Sequence, residues 1–289
     1  MFKDWSNTKK IAVSLGCAAA VAAGVYATKK AVWFHNYCKL APYTIKSVKG
    51  TELEGKEDLR LVAHRGFRAA APENTLPAYT EAGKAGYWGA ECDTYRTRDG
   101  VWVVHHDPVT TRCMDKNYVI ELSTMEQLNK ATIDFGHNVE KYPGLKICPL
   151  EDYIKECAKY NMHAVIELKY NRNREHYGEI VDMLYKYNVD ASFIAFDYED
   201  IIEIRKISDF MVFLLVDDIR DEHIEMVKSI ENSGISFDCN HEKNRDGVMI
   251  KKILDAGLHT ACWSAKDYET VKLMYDLGTE YITTDCITY

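Results

Sequence analysis

Short apolar segments alternate with amphipathic helical segments along most of this chain, and this alternation constrains the fold more than any other feature. The predicted strands are short and mainly apolar: Leu61–His64, Gly89–Thr94, His163–Leu168, Ser192–Phe196, Met211–Val216, Ile235–Asp238, Leu258–Trp263 and Tyr281–Thr284. Parallel strands need long crossover connections, which helices normally supply, so the alternation predicts a parallel sheet. Eight strands in about 250 residues favour an α/β fold of the closed (β/α)8 TIM barrel type, with an open doubly wound sheet as the competing architecture.

The predicted helices lie between these strands and carry their own boundary signals. They are Leu76–Ala85, Pro149–Tyr160, Glu175–Tyr187, Glu199–Ile207, Asp221–Asn232, Arg245–Ala256 and Asp267–Leu277. Glycine tolerates the left-handed backbone that ends a helix, and it follows four predicted helix ends, at Gly86, Gly234, Gly257 and Gly278. Residues 72–75 are predicted to form a turn that supports the His64 loop, with Asn74 or Thr75 capping the first helix. The alternative is that Asn74 reaches the site.

Charge is distributed unevenly, which divides the chain into a basic tail and an acidic body. We predict a tail with a linker over residues 1–57 and a barrel domain over residues 58–289. An insertion at about 95–148, with its own strand, is expected on the catalytic face after the second strand, because these residues are too many for a plain loop.

The first 50 residues carry eight lysines and one acid, whereas residues 51–289 have a net charge of −15. Nucleic-acid binding needs basic surface, so the acidic body argues against it.

An apolar stretch lies inside the basic tail. Residues 11–27 are uncharged and have a pair of lysines on either side. Their length reaches the lower limit for a membrane-spanning helix and lysines suit lipid headgroups, so we predict a hydrophobic helix that associates with a membrane. The lysine bias favours a cytoplasmic body, with a cleaved secretory signal and a buried helix as the alternatives. Nine cysteines without regular spacing indicate reduced thiols rather than a disulfide framework.

Two acidic side chains one residue apart, Glu91 and Asp93, are the strongest indication of chemistry. On a strand they project from the same face, and adjacent carboxylates repel unless a cation or a proton lies between them. Oxygen ligands suit a hard divalent cation, Mg²⁺ or Ca²⁺, better than zinc. Glu167 and Lys169 repeat the spacing at the end of a later strand. Glu167 could complete the oxygen shell and Lys169 could neutralise an anionic substrate, with a structural ion pair as the alternative.

Histidines bracket this acid pair in the sequence. His64 ends the first predicted strand, and His106 shares a strand face with Trp102 and Val104, whereas His105 lies on the other face. A pKa near neutrality suits His64 and His106 for proton transfer as an acid and a base. The carboxyl ends of barrel strands line the functional face, so we expect histidines and acids to meet there.

The order of these motifs resembles that of the glycerophosphodiester phosphodiesterases. The shared motifs are His64-Arg65-Gly66, Pro72-Glu73-Asn74-Thr75, Glu91-x-Asp93, Asp99-Gly100, His106-Asp107, Glu167-x-Lys169, Trp263 and Tyr281–Asp285. The resemblance covers about residues 58–289, and it implies a (β/α)8 barrel with an insertion after the second strand. The activity it implies is hydrolysis of glycerophosphodiesters to sn-glycerol 3-phosphate and an alcohol.

The same resemblance implies roles for individual residues. One divalent cation would be held by Glu91, Asp93 and Glu167, with His64 and His106 as the acid–base pair. The phosphate would be bound by Arg65 and Lys169, and Trp263 would stack on the glycerol or headgroup unless it serves only packing. A lysophospholipid or sphingomyelin is the alternative substrate. A non-catalytic membrane protein that binds phosphodiesters is the alternative from a different class, and the intact histidines and acids argue against it.

Overall fold

Eight parallel strands close into a barrel in the computed structural model, which describes residues 43–169 and 173–289. The strands, numbered β1 to β8, are Arg60–Ala63, Gly89–Arg96, His163–Leu168, Ala191–Ala195, Met211–Val216, Ser233–Asp238, His259–Ala265 and Tyr281–Thr284. Each strand pairs in parallel with the next, and β8 pairs with β1. The predicted (β/α)8 barrel is therefore confirmed, and the open sheet is excluded.

The helices that connect the strands pack outside the barrel. Numbered α1 to α7, they are Leu76–Lys84, Leu150–Tyr160, Tyr177–Tyr187, Tyr198–Ile207, Asp221–Val227, Val248–Asp255 and Tyr268–Asp276. Thr75 caps helix α1, because its side-chain oxygen accepts a hydrogen bond from the backbone N–H of Ala78. Outside the barrel, the short strands Lys46–Ser47 and Ile287–Thr288 pair in parallel and join the two ends of the described chain.

The predicted helix terminators are correct at three positions and wrong at Gly234. Gly86, Gly257 and Gly278 have the expected positive φ angles, but Gly234 lies inside β6. The helix predicted to reach Asn232 ends at Val227. Beyond it, the Ser233 hydroxyl donates to the carbonyl oxygens of Val227 and Ile230 at 2.9 and 2.7 Å, which satisfies carbonyl groups at that helix end. The left-handed residue before β6 is Asn232, with a φ of 52°.

Gly234 is required by close packing instead of by its backbone angle. A Cβ at this position would overlap the carbonyl oxygen of His259 on the neighbouring strand β7 and would lie 2.7 Å from Cε1 of Phe213 on β5. The backbone therefore approaches its neighbours more closely here than a side chain would allow.

The segment between β2 and α2 builds a small subdomain at the carboxyl end of the barrel. Its strand Trp102–Val104 pairs antiparallel with the end of β2 and in turn with the short strand Cys148–Pro149. The segment also contains the helix Met125–Leu128 and 3₁₀ turns at Thr110–Arg112, Ile120–Leu122 and Val139–Lys141. It encloses its own apolar cluster, which includes Ile120 and Leu128. Because its first strand lies beside the end of β2, the backbone N–H of His105 donates to the carbonyl oxygen of Asp93 at 2.9 Å.

The predicted hydrophobic helix and membrane segment at 11–27 lie outside the described residues. Within residues 43–169 and 173–289, none of the helices is both long enough and apolar enough to cross a membrane. The cysteines in the same ranges are free thiols in buried positions, and they are Cys92, Cys113, Cys148, Cys157, Cys239, Cys262 and Cys286. In these ranges the structure agrees with the prediction of reduced cysteines.

We expect Gly234→Ala to lower the free energy of unfolding by about 1–3 kcal/mol, the usual cost of forcing extra atoms into a packed interior. Its methyl group would meet a backbone carbonyl that cannot rotate away. Gly178→Ala in α3 is the matched control, because nothing lies within 4 Å of the added Cβ and alanine favours a helix. Urea unfolding measures both variants. Unchanged stability of Gly234→Ala would contradict this explanation.

Candidate active site

Three buried carboxylates meet at the carboxyl ends of β2 and β3. Glu91 and Asp93 lie two residues apart on β2 and point to the same face, and Glu167 on β3 is the register partner of Asp93. One carboxylate oxygen from each residue can be chosen so that all three lie within 4.8 Å of one another. The convergence predicted from the sequence is therefore present.

Burial and mutual repulsion make this acid cluster electrostatically unfavourable by itself. Burial, together with the charges of Asp93 and Glu167, raises the pKa of Glu91 well above its usual range. The pKa of Glu167 is raised to about 7 by burial and by Asp93, although Lys169 opposes the shift. Burial also disfavours the charged form of Asp93, but Lys169, His106 and Arg65 outweigh it and lower its pKa. The positive charge that the protein supplies therefore does not offset burial and repulsion at Glu91 and Glu167.

Protein cations neutralise only part of the cluster. Lys169 Nζ lies 2.7 Å from an Asp93 oxygen and 2.6 Å from a Glu167 oxygen. The backbone N–H of Arg65 donates to Oε2 of Glu91 at 2.8 Å, whereas Oε1 of Glu91 is buried and accepts no hydrogen bond from the residues that the structure describes. A buried carboxylate oxygen without a donor, beside two further acids, fits a hard divalent cation with oxygen ligands.

Each predicted catalytic histidine is held by an aspartate through the same ring nitrogen. His64 follows β1, and its Nδ1 lies 2.6 Å from Oδ1 of Asp285, which follows the neighbouring strand β8. Nδ1 of His106 lies 2.7 Å from Oδ1 of Asp107. Burial raises the pKa of each aspartate, but the charge on the histidines and nearby arginines prevails and lowers both to about 2. Both aspartates are therefore anionic at neutral pH, and Nε2 of each ring takes no part in these contacts.

Burial lowers the pKa of both histidines, so the neutral imidazole is favoured at neutral pH. The pKa of His64 falls to about 4 because its ring is buried, although Asp285 opposes this shift. For His106 the direction is the same, and burial is opposed there by Asp93. His105 is fully inside the protein, with Nδ1 at 2.8 Å from the carbonyl oxygen of Asp107. Asp93 of the acid cluster acts on the charge of His106, whereas the charges that act on His105 are those of Asp107, Arg112 and Glu73.

The predicted substrate-binding residues lie in different surroundings. Arg65 has a left-handed backbone, with a φ of 56°, and its guanidinium contacts Glu73 at 2.8 Å and Asp93 at 3.4 Å. Trp263 lies on β7 and packs edge-on against Phe196, with ring centroids 5.9 Å apart. The Phe196 side chain follows β4 and is 54 % exposed. The phosphate contacts of Arg65 and Lys169 and the stacking role of Trp263 stay predictions.

The family of the chain follows from comparison with known proteins. The model of the glycerophosphoryl diester phosphodiesterase family matches residues 64–288. This chain belongs to that family. Glycerophosphodiester phosphodiesterase 1 of Mus musculus is 33 % identical over 118 residues, which are 40 % of this chain and 36 % of the mouse protein. An uncharacterized Bacillus subtilis protein, YqiK, is 25 % identical over 231 residues, covering 78 % of this chain and 94 % of that protein.

Solved structures show the same fold. An Oleispira antarctica phosphodiesterase in complex with the product sn-glycerol-3-phosphate has a TM-score of 0.72 and 23 % identity, covering 78 % of this chain and 92 % of the other. A glycerophosphodiester phosphodiesterase from Parabacteroides distasonis has a TM-score of 0.65 and 24 % identity, with the same coverage. The match to the mouse protein spans about a third of that protein's length.

Asn74 enters the site of this family member, which was the alternative to a purely supporting turn over residues 72–75. Its Nδ2 donates to Oδ2 of Asp93 at 2.7 Å, and its Oδ1 accepts from the Tyr79 hydroxyl at 3.0 Å. Thr75 supplies the cap instead. Asn is common in turns, and this preference is the only signal that the sequence carries at position 74. In the structure Asn74 has a φ of 53°, which fits a turn. The contact with Asp93 spans 19 residues and has no local signature.

Glu91→Gln tests whether the acid cluster binds a cation. A ligand that binds only the folded state adds about 2.7 kcal/mol of stability at a hundredfold excess over its Kd. We expect Mg²⁺ or Ca²⁺ to raise the Tm of the parent chain and of Glu156→Gln, but not of Glu91→Gln. Glu156 is a suitable control because it is also buried, yet it contacts Thr80 and Lys159 on the outer helices. Thermal scans with EDTA or added metal provide the measurement, and equal shifts in all three proteins would exclude this site.

Proposed function

We propose that this chain hydrolyses glycerophosphodiesters to sn-glycerol 3-phosphate and an alcohol, with one divalent cation, Mg²⁺ or Ca²⁺. The observation that carries the proposal is the cluster of Glu91, Asp93 and Glu167 at the barrel end that also carries two histidines, each held at Nδ1 by an aspartate. Membership of the glycerophosphoryl diester phosphodiesterase family supports the same reaction. The substrate is a small molecule with one negative charge on its non-bridging phosphate oxygens.

Substrate binding in this proposal is electrostatic. Arg65 offers a planar fork that can contact two phosphate oxygens, and Lys169 offers a point charge. Glu91, Asp93 and Glu167 would hold the cation, which when bound supplies a charge that stabilises negative charge developing on the phosphate. Lys169 contacts two of these acids, so it lies where the cluster and the phosphate would meet.

The two histidines would carry the proton transfers. One removes a proton from the nucleophile, which is water or a glycerol hydroxyl, and the other protonates the departing alkoxide. The aspartates at Nδ1 fix the ring orientation and stabilise each imidazolium as it forms. Burial favours neutral imidazole at both rings, so either ring suits the role of base. The ring that acts as the acid must first take up a proton at Nε2, and the carboxylate beside it, Asp285 or Asp93, favours that charged form.

A lysophospholipid is the second candidate substrate, and one observation favours it. The exposed ring of Phe196 and the neighbouring Trp263 form an aromatic surface at the carboxyl end of the barrel. Aromatic faces bind apolar chains and quaternary ammonium headgroups. Membrane association through residues 11–27 would bring the site to lipid substrates, and we propose it from the sequence of that segment alone.

An activity assay on the full chain tests the proposed reaction. We expect glycerophosphocholine to be cleaved to sn-glycerol 3-phosphate and choline, with loss of activity in EDTA and recovery on addition of Mg²⁺ or Ca²⁺. Mass spectrometry identifies the released phosphate ester. Faster turnover of lysophosphatidylcholine would select the lipid substrate, and no turnover of either compound with metal present would refute the proposal.

Alanine at either histidine tests the proposed chemistry. We expect His64→Ala and His106→Ala to lower kcat on the order of 10²–10⁴ fold, the usual contribution of an acid or base. His259→Ala is the control, because His259 begins β7 at the opposite end of the barrel, where it contacts Glu280 at 3.1 Å. The assay above measures all three variants. Near-normal kcat in His106→Ala on an alkyl ester would remove His106 from the mechanism.

A further inference from the structure

Glu73 binds three arginines at once, and no role in the proposed reaction accounts for it. It lies in the loop between β1 and α1, and its side chain is only 7 % exposed. Oε1 lies 2.8 Å from Arg65 and 2.6 Å from Arg112, and Oε2 lies 2.7 Å from Arg68. All these distances are those of charge-assisted hydrogen bonds. One buried carboxylate therefore serves as the common partner of three guanidinium groups.

Two of these arginines also contact the aspartates that hold the two histidines. Nη1 of Arg68 lies 3.6 Å from the Asp285 oxygen that holds His64. Arg112 Nε lies 2.7 Å from Oδ2 of Asp107, whose other oxygen holds His106. Glu73 is therefore the midpoint of a continuous series of ion pairs that begins at one imidazole and ends at the other.

The series joins three segments that are far apart in the sequence. Glu73 and Arg68 belong to the loop after β1, Arg112 to a 3₁₀ turn of the insertion, and Asp285 to the end of β8. Burying several charges costs desolvation free energy that their attraction often fails to offset, so such a network is weak evidence for a role in stability. The network does fix the positions of its side chains, because each charged group in it contacts more than one partner.

We infer that Glu73 is a positioning residue for both histidines, acting on His64 through Arg68 and Asp285 and on His106 through Arg112 and Asp107. The inference concerns the orientation of the two imidazoles, and only its kinetic consequence rests on the proposed function. The insertion would then complete the site by supplying Arg112 as well as His106.

Glu73→Gln tests the inference, because it keeps the shape of the side chain and removes its charge. The matched control is Glu179→Gln in α3, since Glu179 also accepts from Arg96 and from Trp102. The first measurement is the imidazole ¹⁵N spectrum, which reports tautomer and hydrogen bonding and needs no substrate. We expect the signals of both His64 and His106 to move in Glu73→Gln and neither to move in Glu179→Gln. A change confined to one ring, or equal changes in both variants, would overturn the inference.

Kinetics separate a loss of positioning from a simple loss of folded protein. A 4-nitrophenyl leaving group needs no proton, whereas an alkyl alcohol does. Small displacements of catalytic groups cost up to about 100-fold in rate, so we expect kcat of Glu73→Gln to fall about tenfold or more on the alkyl ester and less on the nitrophenyl ester. Equal losses on the two esters would indicate a structural role and would overturn the inference.

Two further variants decide the matter if Glu73→Gln does not fold. Arg112→Lys keeps the charge but loses the fork that reaches both Glu73 and Asp107, so only the His106 signals should move. Arg68→Lys should move only those of His64. Any other pattern would contradict the series of ion pairs. A parent chain that cleaves no phosphodiester would refute the proposed function and would leave the spectroscopic result to decide the role of Glu73.

Discussion

Repulsion among Glu91, Asp93 and Glu167 is the constraint on which the rest of the site depends. Three carboxylates within 4.8 Å of one another are not stable in a protein interior unless positive charge and hydrogen-bond donors surround them. The closed barrel supplies the fixed strand register that brings them together, and its apolar interior and outer helices make that register rigid. Lys169, Asn74 and the Arg65 backbone then supply donors, and the position beside Glu91 Oε1 is suited to a cation.

The insertion is part of the site because of how it pairs with β2. Antiparallel pairing places Trp102–Val104 alongside the end of β2 and brings His106 close enough for Asp93 to act on its charge. The separate apolar cluster of the insertion holds this strand in place. An insertion that only covered the barrel would not need to pair with β2 in a fixed register. The insertion contributes a histidine, an aspartate and an arginine to the candidate site.

Local patterns in the sequence were sufficient for the barrel and for the acid cluster. The strands His163–Leu168, Met211–Val216 and Tyr281–Thr284 have the bounds that their apolar runs predicted, and the spacing of Glu91 and Asp93 determines their common face. Gly234 was misread because glycine serves both as a helix terminator and at close strand contacts, and the sequence does not distinguish the two. The roles of Asn74, Glu73 and Asp285 depend on partners 19 to 221 residues away, and such pairings have no periodicity.

The loop after β1 is rigid for a physical reason that joins fold and function. Arg65 has a left-handed backbone, which is strained for such a residue and persists only where surrounding contacts compel it; Asn74 shares this backbone conformation, which asparagine adopts more readily. Those contacts are present: Arg65 N–H donates to Glu91, Asn74 N–H donates to the Arg65 carbonyl oxygen at 2.9 Å, and Gly66 N–H donates to the Glu91 carbonyl oxygen at 3.1 Å. Charged groups on such a loop are oriented before a substrate arrives. Little reorganisation is then needed as charge develops, and this is the condition under which fixed charges contribute most to catalysis.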